Sequence, residues 1–291
     1  MTRKTIAREV VCEGVALHAG TCVRARLLPA GASRGIVFRR DDLGGIEIPA
    51  RYDRVTETRL GTAIAGNGAT AAVIEHLMAA VFGAGIDDLV IALDGPEPPI
   101  LDGDSLSWLD LFQRAGTREH EGDNRAIKVS GRVEVQHCGA SAALSPSDAL
   151  IFEFAIDFES AAVGTQQLSW RFSPDGFRRD IAPARTFGFV RELDALRAAG
   201  LANGASLENT LAIDGDRLRN PELRRFADEF VRHKILDALG DLALAGAPIV
   251  GCFEGRRSGH ALNNALLRAL FANPANYELV EGLDRGKAAM A

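Results

Sequence analysis

Cysteine is scarce in this chain of 291 residues. The four present, Cys12, Cys22, Cys138 and Cys252, lie far apart and form no CxxC. That spacing excludes a zinc ribbon, a thioredoxin-like redox pair and a dense disulfide framework, and leaves them as small buried hydrophobes in a reducing compartment. Any metal must then be held by histidine and carboxylate. Long apolar runs are missing too: none reaches the roughly 18 residues of a membrane span. The opening MTRKTIAREV is broken by Arg8 and Glu9 and lacks the apolar stretch of a secretion signal, which predicts a cytoplasmic protein. There is no excess of positive charge. With 33 basic against 39 acidic residues the net charge is −6, the wrong sign for gripping nucleic acid. A local basic patch for a small phosphorylated ligand remains compatible with that balance.

What is present is core material: 47% of residues are hydrophobic and 25% charged, the composition of a folded chain. At roughly 150 residues per domain the length predicts two domains. Two stretches share a plan. In the first, Ile74, Leu77, Met78, Val81 and Phe82 have helical spacing, Gly83 and Gly85 stop the helix, and Leu89-Val90-Ile91 reads as a buried strand. In the second, a helix over about 221–246 ends at Ala245-Gly246 and Ile249 to Phe253 follows as a strand. One histidine on each helix hints at duplicated halves. The polar run 118–124 contains no apolar residue and places the boundary, with one domain over 1–121 and the other over 126–291. Strand-like alternation opens each half, at 10–28 and 127–135, and strands followed by helices predict two α+β layers.

The second helix carries the most chemistry. Ile235, Leu239 and Leu242 form one apolar face, with Phe226 and Phe230 on another, so the helix should be buried. His233, Asp237 and Asp241 then make a polar ridge on a buried element. A buried carboxylate costs several kcal/mol unless it is paired or bound to metal. His-x-x-x-Asp puts an imidazole and a carboxylate one turn apart, within reach of one cation, and equally allows an Asp–His or Asp–Lys234 pair at an interface. Glu75-His76 on the first helix can complete a His/His/Asp set with an open position and a neighbouring base; the alternative is a core histidine beside an exposed glutamate. His76 shares its face with Ala79, Ala80 and Gly83, small residues that permit close approach. In Arg257-Ser258-Gly259-His260, the histidine is either a general acid oriented by Asp241 or part of a surface turn with a helix cap.

Taken together, GVALHAG (14–20), VIEHLMAA (73–80), GIDDLVIAL (85–93), PPILDG (98–103), ARTFGFVRE (184–192), RFADEFVRHKILDALGDL (225–242) and SGHALNN (258–264) resemble, in this order, the UDP-3-O-acyl-N-acetylglucosamine deacetylases of lipid A biosynthesis. The resemblance covers about 5–270. It implies two similar α+β domains, each a β-sheet layer with two helices, the helices packed between the sheets. It implies one catalytic zinc ion, with ferrous iron the alternative in the cell, held by His76, His233 and Asp237. Glu75 would be the general base, His260 the general acid oriented by Asp241, and Thr186 the oxyanion donor. Phe187 would pack on the sugar, Lys234 and Arg257 meet the diphosphate and substrate, and Asp157 and Phe158 hold the uracil. The segment 192–213, with Leu207, would form the acyl passage. The implied partner is the substrate UDP-3-O-acyl-GlcNAc alone, with no nucleic acid and no membrane span, and the protein is expected to be a monomer. Departures from the pattern fall at Asp104, Ala140, Glu192, Ala205, Ala227 and Arg257. A related metal-dependent amidohydrolase on another acylated sugar and a non-enzymatic scaffold are the competing readings; no catalytic position is lost, which favours the deacetylase.

Overall fold

The computed structural model describes residues 2–122 and 124–281. Its first half opens with β1 (Val10–Val15), β2 (Cys22–Pro29), β3 (Ile36–Arg40) and β4 (Ile46–Pro49), followed by α1 (Glu75–Gly83), β5 (Leu89–Leu93) and α2 (Leu106–Ala115). The second half runs through β6 (Val133–His137), β7 (Ala140–Ser145), β8 (Leu150–Asp157) and β9 (Thr165–Arg171). An excursion containing α3 (Val190–Ala198) precedes α4 (Glu229–Ala243), β10 (Ile249–Arg256) and α5 (His260–Ala272).

The strand order is β1-β2-β5-β3-β4 in one sheet, and β6-β7-β10-β8-β9 along the corresponding path of the other. In each, the strand between the two helices is central, antiparallel to the second strand and parallel to the third. The hinted duplication is thus a duplicated topology. The second sheet is extended by Arg125–Val129, parallel to the start of β10, and by Tyr277–Glu281 on its outer side. Alternation such as the exposed/buried pattern of β2 and β8 makes one face of each sheet apolar, and the helices cover it: α4 packs on β8 and β9, α5 on β6 and β7, and α2 on β1. One hydrophobic core runs through both halves.

α1 and α4 cross at the seam. A Cβ on Gly240 would lie 2.0 Å from the Glu75 carbonyl oxygen, so only glycine lets the two backbones meet. Each half also carries a small three-stranded sheet between its fourth strand and its first seam helix, at Val55–Glu57, Ala63–Gly66 and Ala69–Ala71, and at Phe187–Phe189, Leu211–Asp214 and Arg217–Leu218.

Two sequence expectations need correction, and the polar run used to place the boundary opens as a strand: Thr117–Glu121 pairs antiparallel with Thr2–Ile6. Both strands form a largely exposed ribbon, so neither face needs apolar residues to mark it. The helix expected over 221–246 begins only at Glu229 and ends at Ala243. The Glu229 carboxylate accepts hydrogen bonds from the backbone N–H groups of Arg185, Arg225 and Phe226, which holds the preceding chain off the helix axis and leaves Phe226 outside it, under the Arg232 guanidinium. The cysteines are free but none is fully buried. Cys12 and Cys252 are half-buried, while Cys22 and Cys138 are exposed, Cys22 at the first residue of β2 and Cys138 in the β6–β7 turn with φ +46°.

Candidate metal centre

The first turn of α1 places Glu75 and His76, and the middle of α4 places His233, Asp237 and Asp241, all buried where the helices cross. One nitrogen from each of His76 and His233 and one oxygen of Asp237 lie within 4.8 Å of one another. Asp237 Oδ1 is 3.3 Å from His233 Nε2 and 3.6 Å from His76 Nε2, with a geometry that makes no hydrogen bond, and among the described residues this buried oxygen has no hydrogen-bond partner. An anionic oxygen left so is costly, and a cation facing two imidazole nitrogens answers it. The other oxygen, Oδ2, accepts from Lys234 Nζ at 2.6 Å. Burial would raise the Asp237 pKa, but His233 and Lys234 outweigh it and hold the group well below the usual carboxylate range.

His233 has the tautomer and charge that a metal ligand needs. Its Nδ1 lies 3.1 Å from the Ala184 carbonyl oxygen, which can only accept, so Nδ1 carries the proton and Nε2 keeps its lone pair toward Asp237. Burial pushes its pKa down to about 3, Asp237 opposing only in part, so the ring is neutral at neutral pH. The rings of His76 and His233 meet edge-on at 4.9 Å, and Phe187 stands edge-on to His233 at 6.1 Å.

His260 is the first residue of α5. Its Nδ1 donates to Asp241 Oδ2 at 2.9 Å, and its Nε2 is 4.0 Å from Glu75 Oε1. Burial alone would lower its pKa. The charge and hydrogen bond of Asp241, aided by Glu75 and Asp237, overcome that and raise it to about 9, so the ring is an imidazolium at neutral pH. Asp241 is itself fixed by Asn263 Nδ2 at 2.8 Å, and Asn263 by Ser258 Oγ at 2.9 Å. Thr62 completes the group: its N–H donates to Glu75 Oε2 at 2.9 Å and its hydroxyl to Asp241 Oδ1 at 2.5 Å. Thr62 and Asn263 have no role in the sequence reading; Asn263 stands in the quoted SGHALNN, whereas nothing near Thr62 signals it.

The geometry brings together His76, His233, Asp237, Glu75, Asp241 and His260. Thr186 and Phe187 line an adjoining groove of about 360 Å³ with Leu193, Leu196, Ala205 and Leu207 of the excursion and Leu17 and Leu60 of the first half. Its walls reach beyond 192–213, back to Thr186. Phe158 meets Phe187 edge-on at 5.7 Å and lies tilted against Phe189 at 5.8 Å. Lys234 is engaged with Asp237 rather than with the groove, Asp157 accepts from the Thr165 hydroxyl, and Arg257 donates to the Gly139 carbonyl at 2.9 Å.

The family model described as LpxC, UDP-3-O-acyl N-acetylglycosamine deacetylase, matches residues 3–272. The chain belongs to this family. A UDP-3-O-acyl-N-acetylglucosamine deacetylase of Phenylobacterium zucineum is 47% identical over 278 residues, covering 94% of each chain. The protein of the same name from an Anaeromyxobacter species is 43% identical over 278 residues, 96% of this chain and 91% of the relative. One from Brucella melitensis is 41% identical over 281 residues, 96% and 98%. The resemblance read from the motifs is thereby borne out, with the two-layered α+β fold. Among the described residues of this LpxC-family chain, no helix is long and apolar enough to cross a membrane.

Proposed function

We propose that the chain hydrolyses the N-acetyl group of UDP-3-O-acyl-N-acetylglucosamine, releasing acetate and UDP-3-O-acyl-glucosamine, with one metal ion held by His76, His233 and Asp237. Zinc is the ion that suits two imidazoles and a carboxylate, with ferrous iron the alternative in the cell. The observation that carries the reading is the buried, unpartnered Asp237 Oδ1 facing two imidazole nitrogens, beside a carboxylate and an imidazolium 4.0 Å apart. The ion, when bound, polarises the acetamide carbonyl and makes water easier to deprotonate.

The rest falls to the chain's own residues. Glu75, held through Oε2 by Thr62, accepts the proton of the attacking water on Oε1. The Thr186 side chain supports the oxygen on which negative charge develops. His260, protonated and oriented by Asp241, delivers the proton from Nε2 to the departing amine nitrogen, giving free amine and acetate. The adjoining apolar groove takes the 3-O-acyl chain, with Phe187 against the sugar. Asp157 and Phe158 contact the uracil, and Lys234 and Arg257 the diphosphate end, Lys234 by exchanging its bond to Asp237. The two units are 1–121 and 126–291, and since one chain supplies every group, the protein acts as a monomer, in the cytoplasm.

Metal analysis combined with an assay for acetate release from UDP-3-O-acyl-GlcNAc tests this. Chelation should abolish release and one equivalent of zinc restore it. Full activity in rigorously metal-free protein, or no acetate from this substrate in the loaded protein, overturns the proposal.

A further inference from the structure

Glu75 and His260 present a physical problem. A carboxylate and an imidazolium 4.0 Å apart in a buried site attract strongly, because little water screens them. Left free, they would close to a direct hydrogen bond of roughly 2.7–2.9 Å, occupy the space between them and neutralise each other. Something must hold each back by its far side. His260 is held by Asp241 through Nδ1, and Glu75 by an N–H on Oε2. Both restraints lead to Thr62.

Thr62 is 1% exposed and every polar group it has is committed. Its N–H donates to Glu75 Oε2 and its carbonyl accepts from Ile74 N, immediately before α1, at 3.3 Å. Its hydroxyl donates to Asp241 Oδ1, a carboxylate oxygen that can only accept, at the short distance of a charge-assisted bond. The chain is bent to achieve this. Leu60 has φ +131°, a conformation strained for any residue but glycine, and Gly61 has φ +148°. A Cβ on Gly61 would lie 3.0 Å from Glu75 Oε1, so a side chain there would crowd the carboxylate. A strained Leu60 and a conformation open only to glycine at Gly61, both leading into one doubly bonded threonine, mark a constraint on Thr62 itself.

We infer that Thr62 is a positioning residue for the deacetylation: it links the proton acceptor of the first half to the orienter of the proton donor in the second, and keeps the two reacting groups apart. This rests on the functional reading above, so its test has one arm that does not depend on turnover. Thr62→Val keeps the shape and the N–H bond to Glu75 but removes the hydroxyl; Thr62→Ser keeps the hydroxyl. In Thr62→Val, kcat should fall roughly 10- to 100-fold, as for other residues that orient catalytic groups, with KM changed less than twofold and metal content unchanged. Thr62→Ser should recover most of kcat. In the same intact proteins, the far-downfield proton NMR signal of the His260–Asp241 hydrogen bond should shift or broaden in Thr62→Val and return in Thr62→Ser. If the wild type releases no acetate, the functional reading falls while the NMR arm still decides on Thr62. An unshifted signal in Thr62→Val, or equal losses in the valine and serine variants, overturns the inference.

Discussion

The two halves share a strand order and the placement of two helices, yet they use the second helix differently. In the first half the chain enters α2 through Asp104 and Ser105. Ser105 Oγ donates to the His76 carbonyl oxygen, and buried Asp104 pairs with Arg225 of the other half and accepts from Ser107. In the second half the equivalent entry, Ser258-Gly259-His260, presents an imidazolium to Glu75. One helix start holds the scaffold and the other holds a proton. The lesson is that duplication provides two equivalent positions at one seam, and the proposed chemistry occupies only one while the other ties the seam together.

Removing the chemical side of this asymmetry should have the largest effect. Glu75→Ala and His260→Ala are each expected to lower kcat by roughly 10²–10⁴ with little change in metal content. Their combination should be less than additive, since both serve one reaction at one carbonyl. Steady-state kinetics with metal analysis of the three variants checks this. Loss of metal from either single variant would make that residue a ligand instead.

The pH dependence of folding separates two histidines of the second half. His260 keeps its proton up to about pH 9, against an ordinary value of 6.5, so its stabilisation is full below 6.5 and is lost as pH rises through about 9. His233 is pushed down to about 3, so its contribution is full above 6.5 and is lost as pH falls toward 3. In metal-free protein these amount at most to about 3 kcal/mol for His260 and about 5 kcal/mol for His233. Urea unfolding across pH should show the alkaline slope reduced in His260→Gln and the acid slope reduced in His233→Gln. Unchanged slopes would mean that burial at the seam does not govern either ring.

The scaffold side is weaker but measurable. Asp104→Ala removes the partner of Arg225, which is partly exposed and keeps bonds to the Pro183 carbonyl and Asp102. A loss of about 1.5–3 kcal/mol is expected, the range for a hydrogen bond to a charged group, with kcat per folded molecule nearly unchanged. A large fall in kcat at full stability would show that this helix entry is not merely structural.

These contrasts also explain what could be read from the sequence. His76, His233, Asp237, Asp241 and His260 were legible because a polar ridge on an apolar helix breaks a period, and because the ordered motifs carry a resemblance. Thr62 was not, since its bond to Asp241 spans 179 residues and leaves no local pattern. The strand Thr117–Glu121 was missed because an exposed ribbon needs no alternation, and the Asp104–Arg225 pair because an acid 121 residues from its partner says nothing of it. The true start of α4 depended on a tertiary device, the Glu229 carboxylate gathering three N–H groups, which the helical period of 221–246 could not reveal.

The smallest effect is expected where the halves meet around the groove. Asn203 N donates to the His18 carbonyl and Gly204 N to the Leu17 carbonyl, so the loop carrying Ala205 is fastened to the first half. Its methyl lines the groove with Leu207, Leu193 and Leu196. One methyl in an apolar pocket is worth ~1–3 kcal/mol in discrimination, and this half-buried site belongs at the low end. Ala205→Gly should therefore broaden acceptance toward longer or bulkier 3-O-acyl chains several-fold in kcat/KM, and Ala205→Val should narrow it. Because glycine also loosens the loop, the valine variant is the control: loosening alone would not reverse sign with side-chain size. Rates for the three proteins on a series of acyl lengths decide the point. Three superimposable length profiles would show that the acyl chain does not run past Ala205.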